Sequence, residues 1–528
     1  MNDHDRTGYL TGLMAGADVD HRGTPFTEAL LDELLNALRD PETSHPRLGA
    51  ANFDEATFSG EARFYNTLFS GEAIFWRTRF TGPAGFSGAQ FAEEAKFGSA
   101  IFADHARFTA VSFEGDATFG GAHFQSLAFF GRSSIKCAFW LIRTTFDIDV
   151  HFEQASFDGV QRLGPMKCAG LVDLDRARFG MPVTIEVVAD RVQCRRTRWD
   201  STAALRLRYA SVDLTDAVWE YPTAVSAHPA EFKVESGFRI EPMGEAPLAG
   251  RHPGVRIISL SGVDAAHLSI ANVDLVDCLF VGTAHLDQLR MEGRCVFASV
   301  PSGICWRGWW PTRWTPRRTV AEEQHWRAAQ DVGCAGWSSA PEGVHALEPA
   351  ALAPLYRQLR KAFEDGKDEP GAADFYYGEM EMRRHDRETP RGERFLITVY
   401  WALSGYGLRA SRALSWLLAA MTVTMLAMML WGLPHDDPKS ESTGTLTGRS
   451  ITMTTETPDP VNPKGPYRER FSSKRFETSL RVVVNSVIFR NSGQNLTTAG
   501  TYTEMASRLA EPVLLGLAVL AIRGRVKR

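Results

Sequence analysis

Phenylalanine recurs between residues 53 and 124 at spacings that alternate strictly between five and six residues. Alanine stands two positions before most of these phenylalanines, and the positions between them are mostly glycine or polar. Two successive spacings add up to eleven residues, and a fixed period of this kind indicates stacked structural repeats. The periodic positions form a ladder that consists of Phe53, Phe58, Phe64, Phe69, Phe75, Phe80, Phe86, Phe91, Phe97, Phe102, Phe108, Phe113, Phe119 and Phe124.

An eleven-residue apolar period fits either a helical supercoil or a β-solenoid. The ladder region contains Pro83 and many glycines, among them Gly60, Gly71 and Gly82. Inside a helix each glycine costs about 1 kcal/mol and a proline about 3 kcal/mol, and these costs exclude the helix. A solenoid of short strands accommodates the pattern, because Phe fills the interior, Ala fits the tighter inward position, and glycine and polar residues form the corners.

The Ala-x-Phe unit resembles that of the pentapeptide-repeat proteins, in which a small residue, a variable residue and a central Leu or Phe precede two variable residues. The resemblance implies a mainly β fold, a right-handed quadrilateral β-helix. One extra residue in every second unit gives coils of 22 residues instead of the family's usual twenty, so we expect an enlarged corner on alternate faces. We expect regular coils over residues 50–182 and a degenerate continuation of the β-helix over residues 183–300, where the apolar period weakens.

Residues 1–49 precede the ladder, and five leucines at helical spacing predict an amphipathic helix over residues 24–39. An open strand edge at the first coil would pair with other chains, so we expect this helix to cap the solenoid. The alternative is a helix that docks on a partner or on a membrane surface. Glu28, Asp32 and Glu33 argue against an anionic membrane as its target.

Residues 301–394 follow the solenoid, and apolar residues at helical spacing on both sides of Gly366 predict a helical hairpin. The hairpin is either a packing connector, which we favour, or a binding site for a partner peptide. An upstream stretch interleaves tryptophan with arginine, which suits nucleotide stacking, contact with lipid headgroups, or packing at the end of the solenoid. We favour packing for this stretch, which contains Trp306, Arg307, Trp309, Trp310, Arg313, Trp314, Arg317, Arg318 and Trp326.

The last third of the sequence predicts two transmembrane helices. Residues 413–433 carry no charge and would extend about 31 Å as a helix, the thickness of a bilayer core. Residues 507–528 combine a shorter apolar run with a basic end, and we predict the second transmembrane helix there. Residues 395–412 predict an interfacial helix, and residues 434–506 an extracytoplasmic loop. The distribution of basic residues places both termini in the cytoplasm of a multi-pass protein of the cell membrane.

Part of the outer loop resembles the pore module of two-helix cation channels. The apolar segment 478–489 precedes the string Thr497-Thr498-Ala499-Gly500 and then the second span, which is the order of pore helix, filter and inner helix. The resemblance implies a pore helix over 478–489 and a filter at Thr497, Thr498, Ala499 and Gly500. The string Thr501-Tyr502-Thr503 lacks the second glycine of the potassium-channel filter, so we expect a degenerate pore-like hairpin that serves as an anchor.

The sequence contains no nucleotide-binding, metalloprotease, hydrolase or dinucleotide-binding motif, so we assign no catalytic, cofactor-binding or metal-ligating residue and expect no enzyme. The net charge of −5 argues against nucleic acid as a partner. We expect a membrane-tethered scaffold that presents a rigid β-helix to a cytosolic protein, with the lipid bilayer as a second partner and homo-oligomerisation through the transmembrane hairpin.

Two alternative functions stay open at this point. The first is an ion-channel-like subunit with the solenoid as its regulatory domain. The second is a DNA mimic that protects topoisomerases, as some pentapeptide-repeat proteins do. Mimicry needs a strongly acidic surface, whereas residues 51–160 carry 13 acidic and 8 basic residues, so this function ranks last.

Overall fold

The computed structural model describes residues 8–526 except 237–238, 247, 303, 308–309, 331–335, 436–439, 448–449, 457, 463–464 and 489–492. The chain divides into two compact units, Met1–Tyr376 and Tyr377–Arg528. The first unit contains a β-solenoid of about 11 turns over residues 47–297, and the second is mainly helical. The predicted mainly β solenoid followed by helices is therefore confirmed.

The regular coils are built from two-residue parallel strands. Ala51 pairs with Ala73, Ala73 with Ala95, and Ala95 with Ala117. Neighbouring coils are therefore offset by 22 residues, the separation that also relates Ser70 to its hydrogen-bond partner Leu48. This offset is the one that the alternating spacing of five and six predicts. Stacking in register places each Phe directly above its counterpart in the previous coil.

Three sheets run along the solenoid. One face contains Val19–Asp20, Ala51–Asn52, Ala73–Ile74, Ala95–Lys96, Ala117–Thr118 and Phe139–Trp140. Another contains Arg47–Leu48, Leu68–Phe69, Gln90–Phe91, Ser112–Phe113, Ser134–Ile135, Ser156–Phe157, Arg178–Phe179, Arg198–Trp199 and Val218–Trp219. The third sheet has 22 strands: Pro25–Thr27, Thr57–Ser59, Ala62–Arg63, Arg79–Phe80, Ala84–Gly85, Ile101–Phe102, Ala106–Arg107, His123–Phe124, Ala128–Phe129, Thr145–Phe146, Val150–His151, Arg162–Asp173, Val183–Gln193, Ala203–Arg208, Ser211–Asp213, Thr223–Ala227, Val255–Ser259, Leu268–Ala271, Val273–Leu275, Arg290–Glu292, Val296–Ser299 and Arg318–Thr319.

The ladder phenylalanines fill the lumen as columns of stacked rings. Phe86 lies parallel to Phe64 and Phe108, with ring centroids 4.9 Å apart in both pairs. The same ring makes edge contacts with Phe75 and Phe97, each at 5.4 Å and 87°. Every ladder phenylalanine is at most 2% exposed. Stacked and edge-to-face geometries are the favoured arrangements of aromatic rings, so the interior combines hydrophobic burial with ring pairing.

The corners of the coils explain why the spacing of the ladder phenylalanines alternates between five and six residues. Each five-residue spacing turns at a residue with left-handed backbone, such as Asn66 at φ 52° and Gly88 at φ 72°. The six-residue spacing, for example from Phe58 to Phe64, turns through a bend that contains the additional residue. Enlarged corners therefore alternate with tight ones around each coil.

The coil length changes beyond Phe179. Trp199 pairs with Phe179 and Trp219 with Trp199, so these coils contain 20 residues, the separation that also relates Arg196 to Asp216. The 22-residue coil expected from the sequence is therefore not found in this region. The change occurs between the long strands Arg162–Asp173 and Val183–Gln193. Their pairing offset is 22 residues at Arg162–Thr184 and 20 residues at Leu171–Arg191, because the register shifts twice along Arg162–Asp173.

An insertion interrupts the predicted continuation over 183–300. Val225 pairs with Ile270, and the chain between these partners is more than twice as long as a regular coil. The intervening chain contains an antiparallel hairpin of Lys233–Ser236 and Arg239–Pro242. The buried Arg208 holds the insertion through an ion pair with Glu245, in which Nη2 donates to Oε2 at 2.8 Å.

Helix α1 (Glu28–Ala37) lies at the first coils. It starts after Thr27, whose hydroxyl accepts a hydrogen bond from the Leu30 amide at 3.3 Å. The helix is shorter than the predicted 24–39, because Pro25–Thr27 forms a strand that pairs with Thr57–Ser59. Arg63 of the next coil pairs with Glu28 and Asp32 of α1.

The other end of the solenoid meets three helices, α2 (Ala321–Ala329), α3 (Pro349–Asp365) and α4 (Glu369–His385). Here the antiparallel strand Arg318–Thr319 pairs with Ala298–Ser299. A further hairpin joins Ile304–Arg307 to Trp310–Arg313. Helices α3 and α4 form the predicted hairpin, and the rings of Phe363 and Phe375 stack between them at 4.8 Å.

The second unit contains α5 (Arg391–Ser404), α6 (Ala410–Ala427), α7 (Ser473–Val487) and α8 (Thr498–Val526). A π-helical turn, Met428–Gly432, extends α6, and Glu441–Thr447 pairs with Ser450–Glu456 before a short 3-10 turn at Tyr467–Arg470. The predicted interfacial helix 395–412 is not one helix, because the chain turns at Gly405 with φ 55°. Helix α8 begins well before the predicted 507, which shortens the predicted loop 434–506.

Candidate functional site

Charges on the solenoid surface pair from coil to coil. Arg77 contacts Glu55 at 3.0 Å and Lys136 contacts Glu114 at 2.7 Å, and each pair joins equivalent positions of neighbouring coils. Exposed ion pairs contribute about 0–1 kcal/mol each, so their main effect is on the surface potential. Acidic and basic groups compensate each other along these columns, which disfavours the strongly acidic surface that DNA mimicry requires.

Two tryptophans stand out on the face that contains Ala73–Ile74 and Phe139–Trp140. Trp76 is 39% exposed and Trp140 is 40% exposed. The Trp76 ring lies over Gly98 of the next coil, where a Cβ atom would be 2.6 Å from Trp76 Cε3. Tryptophan is enriched at the energetic centres of protein interfaces.

His151, Glu153 and Asp173 form a polar group on the same solenoid. Their potential ligand atoms lie within 4.8 Å of one another. The hydrogen bond with Asp173, at 3.4 Å, raises the pKa of His151. All three side chains are partly buried, and surface groups of this composition are common without an ion. We assign this group no role.

A groove of about 620 Å³ lies beside the insertion. Its lining includes Tyr209, Arg251, Arg256, Asp274 and Arg294. Arg256 donates from Nε to Asp274 Oδ2 at 3.2 Å, and Arg251 pairs with an aspartate of a neighbouring strand. The groove therefore has mixed charge.

The predicted Trp/Arg stretch is partly internal to the first unit. The Arg327 guanidinium lies 4.6 Å from the Trp314 ring centroid and 5.0 Å from that of Trp337. Its Nε donates to the buried Glu323 at 2.6 Å, and Arg317 also donates to Glu323. These contacts agree with packing at the end of the solenoid. Trp309 lies outside the described residues, and the structure gives no side-chain placement for Trp306, Arg307, Trp310 and Arg313.

Adjacent glutamates in α2 have opposite environments. Burial by itself would raise the pKa of Glu323, but the positive charges of Arg317 and Arg327 outweigh burial and hold the pKa at about 2. Burial raises the pKa of Glu322 to about 7. The Glu322 carboxyl accepts a hydrogen bond from the Phe280 amide and thereby contacts a late coil of the solenoid.

Two helices of the second unit are long and apolar enough to cross a membrane. They are Ala410–Gly432, with mean hydropathy 1.9, and Thr498–Arg523, with mean hydropathy 1.7. A helix in the core of a soluble protein can be equally long and apolar, but it is mostly buried. In these two helices only 28% and 33% of an 18-residue apolar segment is buried. Length and composition are weak evidence for a membrane location.

Helix α7 runs from one end of the helical unit into its middle. At its start, Arg475 donates to the carbonyls of Met429 and Leu433 at the end of α6, at 2.8 and 3.0 Å. In its last turn, Ser486 contacts Glu511, halfway along the second candidate span. The chain then returns, because Thr497 donates to the Trp431 carbonyl at 2.6 Å. Arg475 and Thr497 therefore contact the same end of α6, while Ser486 lies deeper in the helical unit.

Glu511 is the polar centre of this arrangement. Its side chain is 0% exposed, and Oε1 accepts a hydrogen bond from the Thr424 hydroxyl of α6 at 2.9 Å. Oε2 lies within hydrogen-bond reach of Ser486 Oγ of α7. Helices α6, α7 and α8 thus meet at one carboxyl group.

The comparison with known families concerns the solenoid. Residues 48–90 match the family model described as pentapeptide repeats (9 copies), and this match agrees with the parallel coils of Ala-x-Phe units. The solenoid is a pentapeptide-repeat β-helix. No curated protein and no solved structure matches the chain.

The residues of the predicted filter lie at the start of α8. Thr497 precedes α8 and its hydroxyl accepts from the Gly500 amide at 3.2 Å, while Thr498, Ala499 and Gly500 form the first turn of the helix. Residues 489–492, which include the last residue of the predicted pore helix, lie outside the described residues. The predicted pore helix 478–489 corresponds to α7.

Sequence reasoning did not identify Glu511 as a site. The available signal was a glutamate within an apolar run, because ionisable groups inside a membrane segment are usually functional.

Proposed function

We propose that this protein is a membrane-tethered, non-catalytic scaffold whose pentapeptide-repeat β-helix presents a rigid surface to a protein partner. The observation that carries the tether is the outward exposure of large apolar side chains on both candidate spans. Leu418 is 63% exposed on α6, and Leu520 is 60% exposed on α8. Apolar belts of this kind are expected in contact with lipid.

The tether is tested by placing a charge on the apolar belt. The Leu418→Arg substitution lies near the middle of the first span, where a charge costs about 2.5–3.5 kcal/mol on insertion scales. We expect a large loss of carbonate-resistant membrane association. Ile240→Arg is the matched control, because Ile240 is equally exposed, at 66%, on the solenoid insertion. Equal membrane retention of Leu418→Arg and the wild type would refute the tether.

The proposed partner surface is the face with Trp76 and Trp140. These residues are about 14 Å apart along the solenoid, since three coil spacings of about 4.8 Å separate their coils. We expect proximity labelling and cross-linking in cells to recover a reproducible cytosolic protein, and the Trp76→Ala, Trp140→Ala double variant to lose it. Tyr221→Ala, at a position that is 49% exposed, is the control. Retention of the partner by the double variant would exclude this face.

The contacts of Arg475 and Thr497 with the same end of α6 favour a second candidate function, an oligomeric pore-like subunit. Non-helical backbone is tolerated at membrane depth where protein or a water-filled cavity surrounds it. A pore would require several copies to surround one axis, which agrees with the predicted homo-oligomer. Purified protein in planar bilayers that passes no current under any applied voltage would eliminate this candidate, and the scaffold function would be unaffected.

A further inference from the structure

The hydrogen-bond partners of Glu511 decide how many protons the site holds. Ser486 Oγ lies 2.8 Å from the Val483 carbonyl oxygen and in closer contact with Glu511 Oε2. A serine hydroxyl carries one hydrogen, and a carbonyl oxygen can only accept. An ionised Glu511 carboxylate can also only accept. Ser486 would then have to donate to both the Val483 carbonyl and Glu511, although its hydroxyl carries one hydrogen.

A proton on Glu511 satisfies every contact. The carboxylic acid then donates from Oε2 to Ser486 Oγ, and Ser486 donates to the Val483 carbonyl. Oε1 becomes the carbonyl oxygen of the acid and accepts from the Thr424 hydroxyl at 2.9 Å. The chain of hydrogen bonds thus runs from α6 through α8 to α7 without an unused donor. We propose that Glu511, with Thr424 and Ser486, is a proton-binding site in the middle of the membrane, an inference that rests on the proposed membrane insertion.

The charged surroundings agree with a neutral acid. In the part of the chain that the structure describes, Glu511 forms no ion pair with lysine or arginine. An unpaired carboxylate in a low-dielectric interior is costly, and binding a proton removes that cost.

Charged side chains on the helices packed around Glu511 form ion pairs with one another. Arg508, one turn away on α8, pairs with Glu504 at 3.7 Å, and on α7 the exposed Glu477 pairs with Arg481 at 2.6 Å. Helix α6 has Arg412 in its first turn and no other ionisable residue. The remaining ionisable groups on α5, α7 and α8 are Arg391, Glu393, Arg394, Tyr400, Lys474, Arg475, Tyr502, Arg523 and Arg525.

The buried stripe of α8 indicates the side from which the proton arrives. Between the start of the helix and Glu511, this stripe contains Glu504 and Ser507, which are 7% and 5% exposed. Beyond Glu511 the stripe is apolar, with Leu514 and Ala518. A polar seam therefore connects the carboxyl with the end at which α8 begins, and the opposite half is sealed by apolar packing.

A hydrophobic carbodiimide tests this site on the full-length protein in liposomes, because such a reagent attacks protonated carboxyl groups in apolar surroundings. We expect an adduct on Glu511, mapped by mass spectrometry. Glu504→Gln should retain the adduct, and Glu511→Gln should lose it. The introduced glutamine keeps the acceptor for Thr424 and a donor toward Ser486 and adds one N–H group, so the Tm of Glu511→Gln should fall only slightly.

Three results would overturn the inference. One is no adduct on Glu511 at any pH between about 6 and 9. Another is an adduct that sodium ions suppress at constant pH, since this would make the site a metal-cation site. The third is a large loss of Tm in Glu511→Gln, because a neutral mimic should be accommodated. Carbonate extraction of the same sample separates the two proposals: release of the protein overturns the tether, and retained protein with unmodified Glu511 overturns only the proton site.

Discussion

The Phe97→Ala substitution tests the stacked interior of the β-helix most directly. Phe97 is fully buried, and its ring lies parallel to Phe75 and Phe119 at 4.9 and 4.8 Å. Edge contacts at 5.4 Å join it to Phe86 and Phe108. Truncation of a buried Phe to Ala costs about 3–5 kcal/mol. Loss of four ring partners places the expected cost at about 4 kcal/mol or above.

Hydrogen exchange is the suitable assay, because the chain has two units and a single unfolding transition would not report on one coil. A cost of about 4 kcal/mol corresponds to about a thousandfold loss of amide protection in the coils around residue 97. Repeats contact only their neighbours in a solenoid, so the loss should decline with distance from the substituted coil.

Phe97→Leu is the matched control. Leu141 already occupies the same column, one coil after Phe119, and is fully buried. A replacement that nearly conserves volume should cost less than about 1.5 kcal/mol. Protection that falls less than tenfold in Phe97→Ala, or equally in both variants, would refute the stacked-ring interior.

Three further predictions concern the termini of the solenoid and the helical unit. The pKa of Glu322 is raised from 4.5 to about 7, so the folded state favours the protonated carboxyl. The first unit should therefore lose about 3 kcal/mol of stability as the pH rises between these two values. In urea denaturation, Glu322→Gln should make the stability of this unit nearly independent of pH over the same range. Arg317→Ala should lower the stability of the first unit by about 3–5 kcal/mol, because the buried Glu323 carboxylate loses one of its counter-charges. Arg77→Ala, in the exposed pair with Glu55, should lower it by less than about 1 kcal/mol. Similar losses for both variants in denaturation would contradict the assigned burial. A Cβ on Gly500 would lie 2.8 Å from Gly432 Cα, so Gly500→Ala should lower Tm at a cost of about 1–3 kcal/mol, while Gly516→Ala, which faces open space on the same helix, should leave Tm unchanged or raise it.

Local chemistry made the solenoid predictable. The Ala-x-Phe unit repeats often enough for the inward positions and the β class to follow from spacing and glycine content, and the four faces implied by the resemblance to pentapeptide-repeat proteins then give the coil length. The same reasoning failed beyond Phe179, where the coils contain 20 residues. How far a strand continues across a corner depends on its pairing with the neighbouring coil. A single repeat unit of the sequence does not specify this pairing.

The predicted filter illustrates a different limit. Thr497 to Gly500 match the start of a filter string, but the same residues are also a good helix start, with a threonine that accepts from the amide three residues later. The contacts of Thr497 with the end of α6 favour the helix start. The partner carbonyl of Trp431 lies 66 residues away in sequence, so the choice could not be made from the string itself.

The sequence by itself determined the repeat, the polarity of its corners and the two apolar spans, because each depends on residues that are close neighbours in the chain. Only the tertiary structure decided the insertion, the contacts of Arg475 and Thr497 with the same end of α6 and the meeting of Thr424 and Ser486 with Glu511, from which they lie 87 and 25 residues away along the chain. Periodic side-chain patterns specify how a segment folds against its own repeats. A buried carboxyl obtains its partners only when distant helices pack, and packing is a property of the whole unit.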